Sequence, residues 1–176
     1  MSQPVRIDPA IAIIGSFIAA LKSQFDPNQP VPPDGGGTKN VRFFAADGPP
    51  LEAWDAFSNE TDCDEPFIWV RVVSRYRSKN FPEPVINVNP CGLPRVLAIE
   101  IGVARCAAIS LDTSWEDYDK QAGISLDDSY RIEQALCAVT NVLKHDNPIG
   151  VGTDTLVPFG PEGGRFGWSA QAYIGF

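Results

Sequence analysis

The run from Val96 to Ala107 constrains the fold more than any other stretch of the chain. Leu97, Ile99, Ile101 and Val103 fall on one face of an extended backbone, and Ala98, Glu100, Gly102 and Ala104 fall on the other. A period of two marks a strand with an apolar layer against one side. Small residues on the second side would let another backbone or a helix approach closely. A polar segment from Ser110 to Gly123 follows, and then one long helix. Ser125 is its expected cap, with Asp127 and Asp128 in the first turn, where carboxylates suit the helix dipole. Ile132, Leu136, Val139 and Leu143 form its apolar stripe, which is expected to pack on Leu97, Ile99, Ile101 and Val103. Lys144 and His145 close it, and strands at Thr155–Phe159 and Trp168–Phe176 finish the sequence.

The first half reads as one helix and several strands. Asp8-Pro9 is a helix start, because Asp can cap free N–H groups and Pro at the first position loses no hydrogen bond. Ile11, Ile14, Phe17 or Ile18, Leu21 and Phe25 then recur at helical steps until Asp26-Pro27. Asn28 to Thr38 is rich in Pro and Gly and reads as an extended loop. Val41–Ala46, Phe67–Arg77 and Val85–Val88 are strand candidates. Between the first two, Asp47 to Glu65 holds seven acidic residues and no Lys or Arg. A connection of that length is expected as a surface excursion, with a helical turn around Leu51–Phe57. Helices interspersed among mostly antiparallel strands predict a single α+β domain over residues 1–176, a mixed sheet flanked by two helices.

Composition narrows the function classes. At 176 residues the chain can bury one core, and a hydrophobic fraction of 44% is that of a globular protein. A balance of 14 basic against 22 acidic residues gives −8, which disfavours generic binding to duplex DNA. The apolar run Ile11–Leu21 is too short to span a bilayer, and no clean cleavage pattern makes it a leader. Cys63, Cys91, Cys106 and Cys137 include no C-x-x-C pair, so zinc is disfavoured, and reduced thiols of a cytosolic chain are expected.

The residues assign no catalytic, cofactor or metal site. Gly35-Gly36-Gly37-Thr38-Lys39 lacks the Gly-Lys-Ser/Thr order of a phosphate loop and is expected to be a plain flexible loop. His145 is the sole histidine. It stands eight residues from Cys137, about 12 Å along a helix, too far for a nucleophile and its base. Asp62, Asp64 and Glu65 lack the Gly turn and closing Glu of a calcium loop.

Charge on the Phe67–Arg77 strand stands out. Strict alternation puts Ile68, Val70 and Val72 on one face and Trp69, Arg71, Val73, Arg75 and Arg77 on the other, with Lys79 in line. Such a face is either an edge protected by charge or a docking surface for an acidic segment, such as 47–65 of the same or a neighbouring subunit. Arg71, Arg75, Arg77 and Lys79 are therefore candidate assembly residues. Trp115 and Tyr118, set among acids, and Arg165-Phe166 in the last turn join them.

Three stretches carry a family resemblance. They are Arg95–Ala107 with its Glu100-Ile101-Gly102-Val103-Ala104-Arg105-Cys106 core, Tyr130–Val142 with Ala135-Leu136-Cys137, and Val157–Gly164 before Trp168. Together they resemble the tail terminator proteins of long-tailed phages, especially those infecting actinobacteria. The chain departs from that pattern where Arg165-Phe166 occupies the Gly-rich turn. The resemblance implies an α+β virion protein, without enzymatic activity or cofactor, that forms a hexameric ring at the head-proximal end of the tail. Its implied partners are its own copies, the tail tube protein and the head-completion or stopper protein. DNA would slide through the lumen without specific binding, which an acidic subunit suits, and no membrane is involved. Another connector component, a stopper or minor tail protein, is the alternative in the same class, and a small enzyme with an unrecognised site is the alternative outside it.

Overall fold

In a computed structural model, which describes residues 8–49, 51, 65–86, 89–108 and 112–176, two helices cover one face of a mixed sheet. The elements run α1 (Ala10–Gln24), β1 (Val41–Phe44), β2 (Phe67–Arg77), β3 (Arg95–Cys106), α2 (Trp115–Asp146), β4 (Gly150–Thr153), β5 (Val157–Glu162) and β6 (Arg165–Gly175). Strand order is β1-β2-β3-β6-β4, and β5 also pairs with β6. β1 lies parallel to β2, and every other pairing is antiparallel. The fold is α+β, as the order of helical and strand patterns predicts.

The core forms where the patterns place it. Register sets Ile68, Val70 and Val72 of β2 opposite Val103, Ile101 and Ile99 of β3, and these opposite Trp168, Ala170 and Ala172 of β6. Directly opposed residues share a face, so the helices meet a continuous apolar layer. Ile13, Ile14, Phe17 and Leu21 of α1 and Ile132, Leu136, Val139 and Leu143 of α2 bury themselves on it. This packing holds both helices far more than propensity does. Asp8 accepts the Ala10 N–H through its carboxylate at 3.0 Å, so the helix start at Asp8-Pro9 works as its residues suggest.

The opposite face carries a smaller cluster of Phe67, Trp69 and Ala104, joined by Phe44, Leu51 and Phe159. What approaches the small residues of β3 is neither backbone nor helix but the Trp69 indole: a Cβ on Gly102 would overlap it.

Several elements differ from the expectation. α2 begins at Trp115, not at Ser125. Ser114 is its cap, accepting the Asp117 N–H while the Asp117 carboxylate takes the Ser114 N–H back, a reciprocal capping box. Its first turns bury nothing, so no apolar period announces them. β4 is too short and glycine-rich to read as a strand. Val85 and Ile86 lie outside regular strand, with one bond from the Val85 N–H to the Arg77 carbonyl. The last turn is made by Gly163-Gly164 at positive φ, so Arg165 and Phe166 already belong to β6. Cys106 is disulfide-bonded, against the expectation of reduced thiols, and its partner lies outside the described residues; Cys91 and Cys137 are free. Most of the acidic 47–65 segment also lies outside the described residues. No described helix is long and apolar enough to cross a membrane.

Candidate functional site

The largest correction concerns the cationic strand. A β-bulge at Val73 shifts the β2–β3 register between Val72 and Ser74. One extra residue reverses the alternation beyond it. Arg71 stays on the far face with Trp69, opposite Glu100, whereas Arg75 faces Leu97 and Arg77 faces Arg95 on the helix side. The single cationic face is therefore split in two.

Arg71 is nearly enclosed and satisfied within the chain. It grips both Glu100 oxygens at 3.0 and 2.7 Å and donates to the carbonyls of Ala46 and Asp47. Trp69 Nε1 donates to the same Glu100 carboxylate at 2.9 Å. This guanidinium meets the start of the acidic segment through backbone oxygens, and the Glu100 carboxylate beside it raises its affinity for its proton.

Two further arginines, which the sequence reading did not single out, are buried at the Cys106 end. Arg105 donates to both Asp128 oxygens at 2.6 and 2.8 Å and to the carbonyls of Gly35 and Gly36. Arg131 donates to Asp127 at 2.7 Å and to the carbonyls of Gln24, Val31 and Pro32. Burial pushes the Asp128 carboxyl above the usual range, and the Arg105 guanidinium opposes that shift. The glycine run expected to be flexible is thus clamped: the Gly35 and Gly36 carbonyls accept from Arg105, and the Gly36 N–H donates to the Pro33 carbonyl at 2.9 Å. Gly35 is required there, since a Cβ would lie 2.5 Å from Ile124 Cγ2 and 2.8 Å from the Arg105 guanidinium carbon.

The remaining candidates sit at the two ends of the sheet. At the Arg95 end, Arg75 pairs with Asp8 at 2.8 Å with both side chains nearly half exposed. Half-buried Arg77 donates to the Leu93 carbonyl at 2.6 Å. Lys79 and Arg95 are exposed, the Arg95 guanidinium standing 4.8 Å from the centre of the Phe176 ring. Sequence reasoning missed Arg95, because only the strand register sets it directly opposite Arg77. At the Cys106 end, the first turns of α2 project past the sheet. Trp115 is 84% exposed there, with the Tyr118 ring 5.8 Å away. Leu126 and Tyr130 continue the exposed apolar strip on the outward side of α2. Phe166 is buried opposite Arg105, and Arg165 lies opposite Cys106. The structure thus sets Arg75 and Arg77 on one face, with Lys79 two residues beyond, and keeps Arg71 on the far face with Glu100. It brings Trp115 and Tyr118 together at the other end, where Phe166 lines one hollow with Asp117 and Lys120.

An open groove of about 440 Å³ runs along α2, lined by Glu133, Cys137, Thr140, Asn141, Asp154 and Leu156. His145 lies about two turns beyond Cys137 on the same helix. No group of three His, Cys, Asp or Glu side chains among the described residues could hold a metal ion. Glu65 instead accepts from Thr38 and Asn40. No protein-family model matches the chain, and no curated protein matches it.

Proposed function

We propose that the chain is a structural virion protein, the subunit of a tail terminator ring that caps a phage tail tube at its head-proximal end. In that role it stops tube polymerisation and joins the tail to the head connector, with no chemical step and no cofactor. The observation that carries this reading is the mutual placement of the three stretches that resemble the family. Arg95–Ala107 is built around β3, Tyr130–Val142 is the part of α2 that packs on the sheet, and Val157–Trp168 forms the β5–β6 hairpin beside β3. The resemblance therefore covers one connected unit. The exposed Trp115, Tyr118, Leu126 and Tyr130 add support, because large apolar side chains clustered on a surface mark interaction sites. A net charge of −8 suits a lumen through which DNA slides without sticking.

Its partners on this reading are other copies of the chain, the tail tube protein and the stopper, and it resides in the virion after synthesis in the host cytoplasm. Polymerising tube subunits provide the test. Added protein should halt elongation and shorten the tubes, remaining bound at one end. Binding to head connectors with no effect on tube length would move the chain to the stopper class.

A further inference from the structure

We infer that copies of this chain dock head to tail, the projecting start of α2 on one copy meeting the Arg77–Lys79–Arg95 end of the sheet on the next. The inference rests on the ring reading and names the contact that would build the ring.

The two surfaces are complementary in charge and chemistry. From Asp112 to Lys120 the chain carries Asp112, Glu116, Asp117 and Asp119 against the single cation Lys120, and all five are exposed around Trp115 and Tyr118. The other surface gathers Arg75, Arg77, Lys79 and Arg95, and among the described residues Asp8 alone forms an ion pair with it. Arg77 and Arg95 are direct cross-strand partners. Like charges so placed repel each other, and an anionic surface brought against them would relieve that repulsion. Tryptophan, tyrosine and arginine are also the side chains most enriched at energetic centres of interfaces, and an indole face attracts a guanidinium.

Geometry makes the contact intermolecular. α2 is tied to the Cys106 end of β3 by the Arg105–Asp128 pair and by the Gln121 side chain, which accepts the Ala108 N–H at 2.9 Å. The basic group surrounds Arg95 at the other end, roughly 35–40 Å away along an extended strand. The two surfaces cannot meet within one molecule. A twofold axis through either surface would set acid on acid or arginine on arginine, and the two surfaces lie at opposite ends of the molecule. The pairing inferred is therefore head-to-tail repetition, which closes into a ring or runs on as a filament. Association that stops at the dimer would instead mark an antiparallel twofold pairing and overturn it.

Sedimentation velocity over a concentration series tests this on the full chain. One variant carries Glu116→Lys and Asp119→Lys, and a second carries Lys79→Glu and Arg95→Glu; all four positions are exposed, and unchanged melting verifies the fold. The first turns the acidic surface from −3 to +1, and the second turns the basic surface, counted with Asp8, from +3 to −1. Each variant alone should associate about a hundredfold more weakly than the natural chain, because both its surfaces then share one sign. Their equimolar mixture should recover association, since every contact between unlike chains again joins opposite charges. Trp115→Ala, which leaves charge unaltered, should weaken association by about tenfold. Association of either reversed variant at natural strength, failure of the mixture to recover, or a natural chain that stays monomeric throughout would overturn the contact. Natural rings indifferent to the reversals would sink this contact and leave the ring reading intact. Open chains abolished by the reversals and recovered in the mixture would keep the contact and sink the ring.

Discussion

At the Cys106 end of the sheet arginine is buried among acceptors, while at the Arg95 end it is exposed beside other arginines. Arg105 and Arg131 bridge β3, α2 and the Pro-rich loop with short bonds to Asp128, Asp127 and five backbone carbonyls. Among the described residues Arg75, Arg77, Lys79 and Arg95 share one ion pair, that of Arg75 with Asp8, and all but half-buried Arg77 are exposed. A buried guanidinium must have its partners inside the chain, because an unmatched internal charge is costly. An exposed one costs the fold little and remains available to a partner. The difference assigns the first group to holding the fold and the second to a surface.

Breaking the buried clamp should have the largest effect. Asp128→Ala leaves Arg105 uncompensated and should lower the unfolding free energy by about 3–5 kcal/mol in a denaturant titration. That loss is comparable to the whole stability of a marginal domain. Leu136→Ala, in the stripe that packs α2 on the sheet, should cost about 2–5 kcal/mol through lost burial and a residual cavity. A soluble Leu136→Ala protein with unchanged melting would show that the stripe does not carry the packing. Gly102→Ala drives a methyl group into the Trp69 ring and should cost about 1–3 kcal/mol. At the exposed end, Arg75→Ala should change stability by only about 0–1 kcal/mol. A cost as large as that of Asp128→Ala would erase the contrast between the ends.

The smallest effect concerns pH. Backbone bonds first, and then partner side chains, hold the Asp8, Asp26 and Asp117 carboxyls below their ordinary value of 3.8. The unfolded chain then binds protons more readily than the folded one. Their stabilisation is present above pH 3.8 and is lost as pH falls through the lowered folded values. Asp128 runs the other way: with its carboxyl raised by burial, its share is fully present below 3.8 and fades as pH rises through the raised value. In acid, far-UV circular dichroism should register fraying at the start of α2, and Ser114→Ala should remove the part due to Asp117.

The apolar layers were legible in the sequence because burial imposes a period. Leu97, Ile99, Ile101 and Val103 and the stripe Ile132, Leu136, Val139 and Leu143 meet as their spacing predicts. The split of the cationic strand was not legible, since one bulge residue at Val73 leaves no compositional mark yet turns Arg75 and Arg77 over. The true start of α2 left one local sign, Ser114 with Asp117 three residues on, but its exposed first turns supply no apolar rhythm. Burial of Arg105 and Arg131 depends on a loop about a hundred residues away from Arg131 in sequence, a partnership that local pattern does not encode. The exposed pair Trp115 and Tyr118 was visible as residue types, and only the projecting helix gives those residues a common surface.

Negative-stain imaging of the purified protein tests the central claim most directly. Closed rings with a central lumen, six-fold in symmetry and lost together with association in the Glu116→Lys/Asp119→Lys variant, are the predicted result. A field of single globular particles from the natural chain, alone and in the presence of tail tubes, would contradict it.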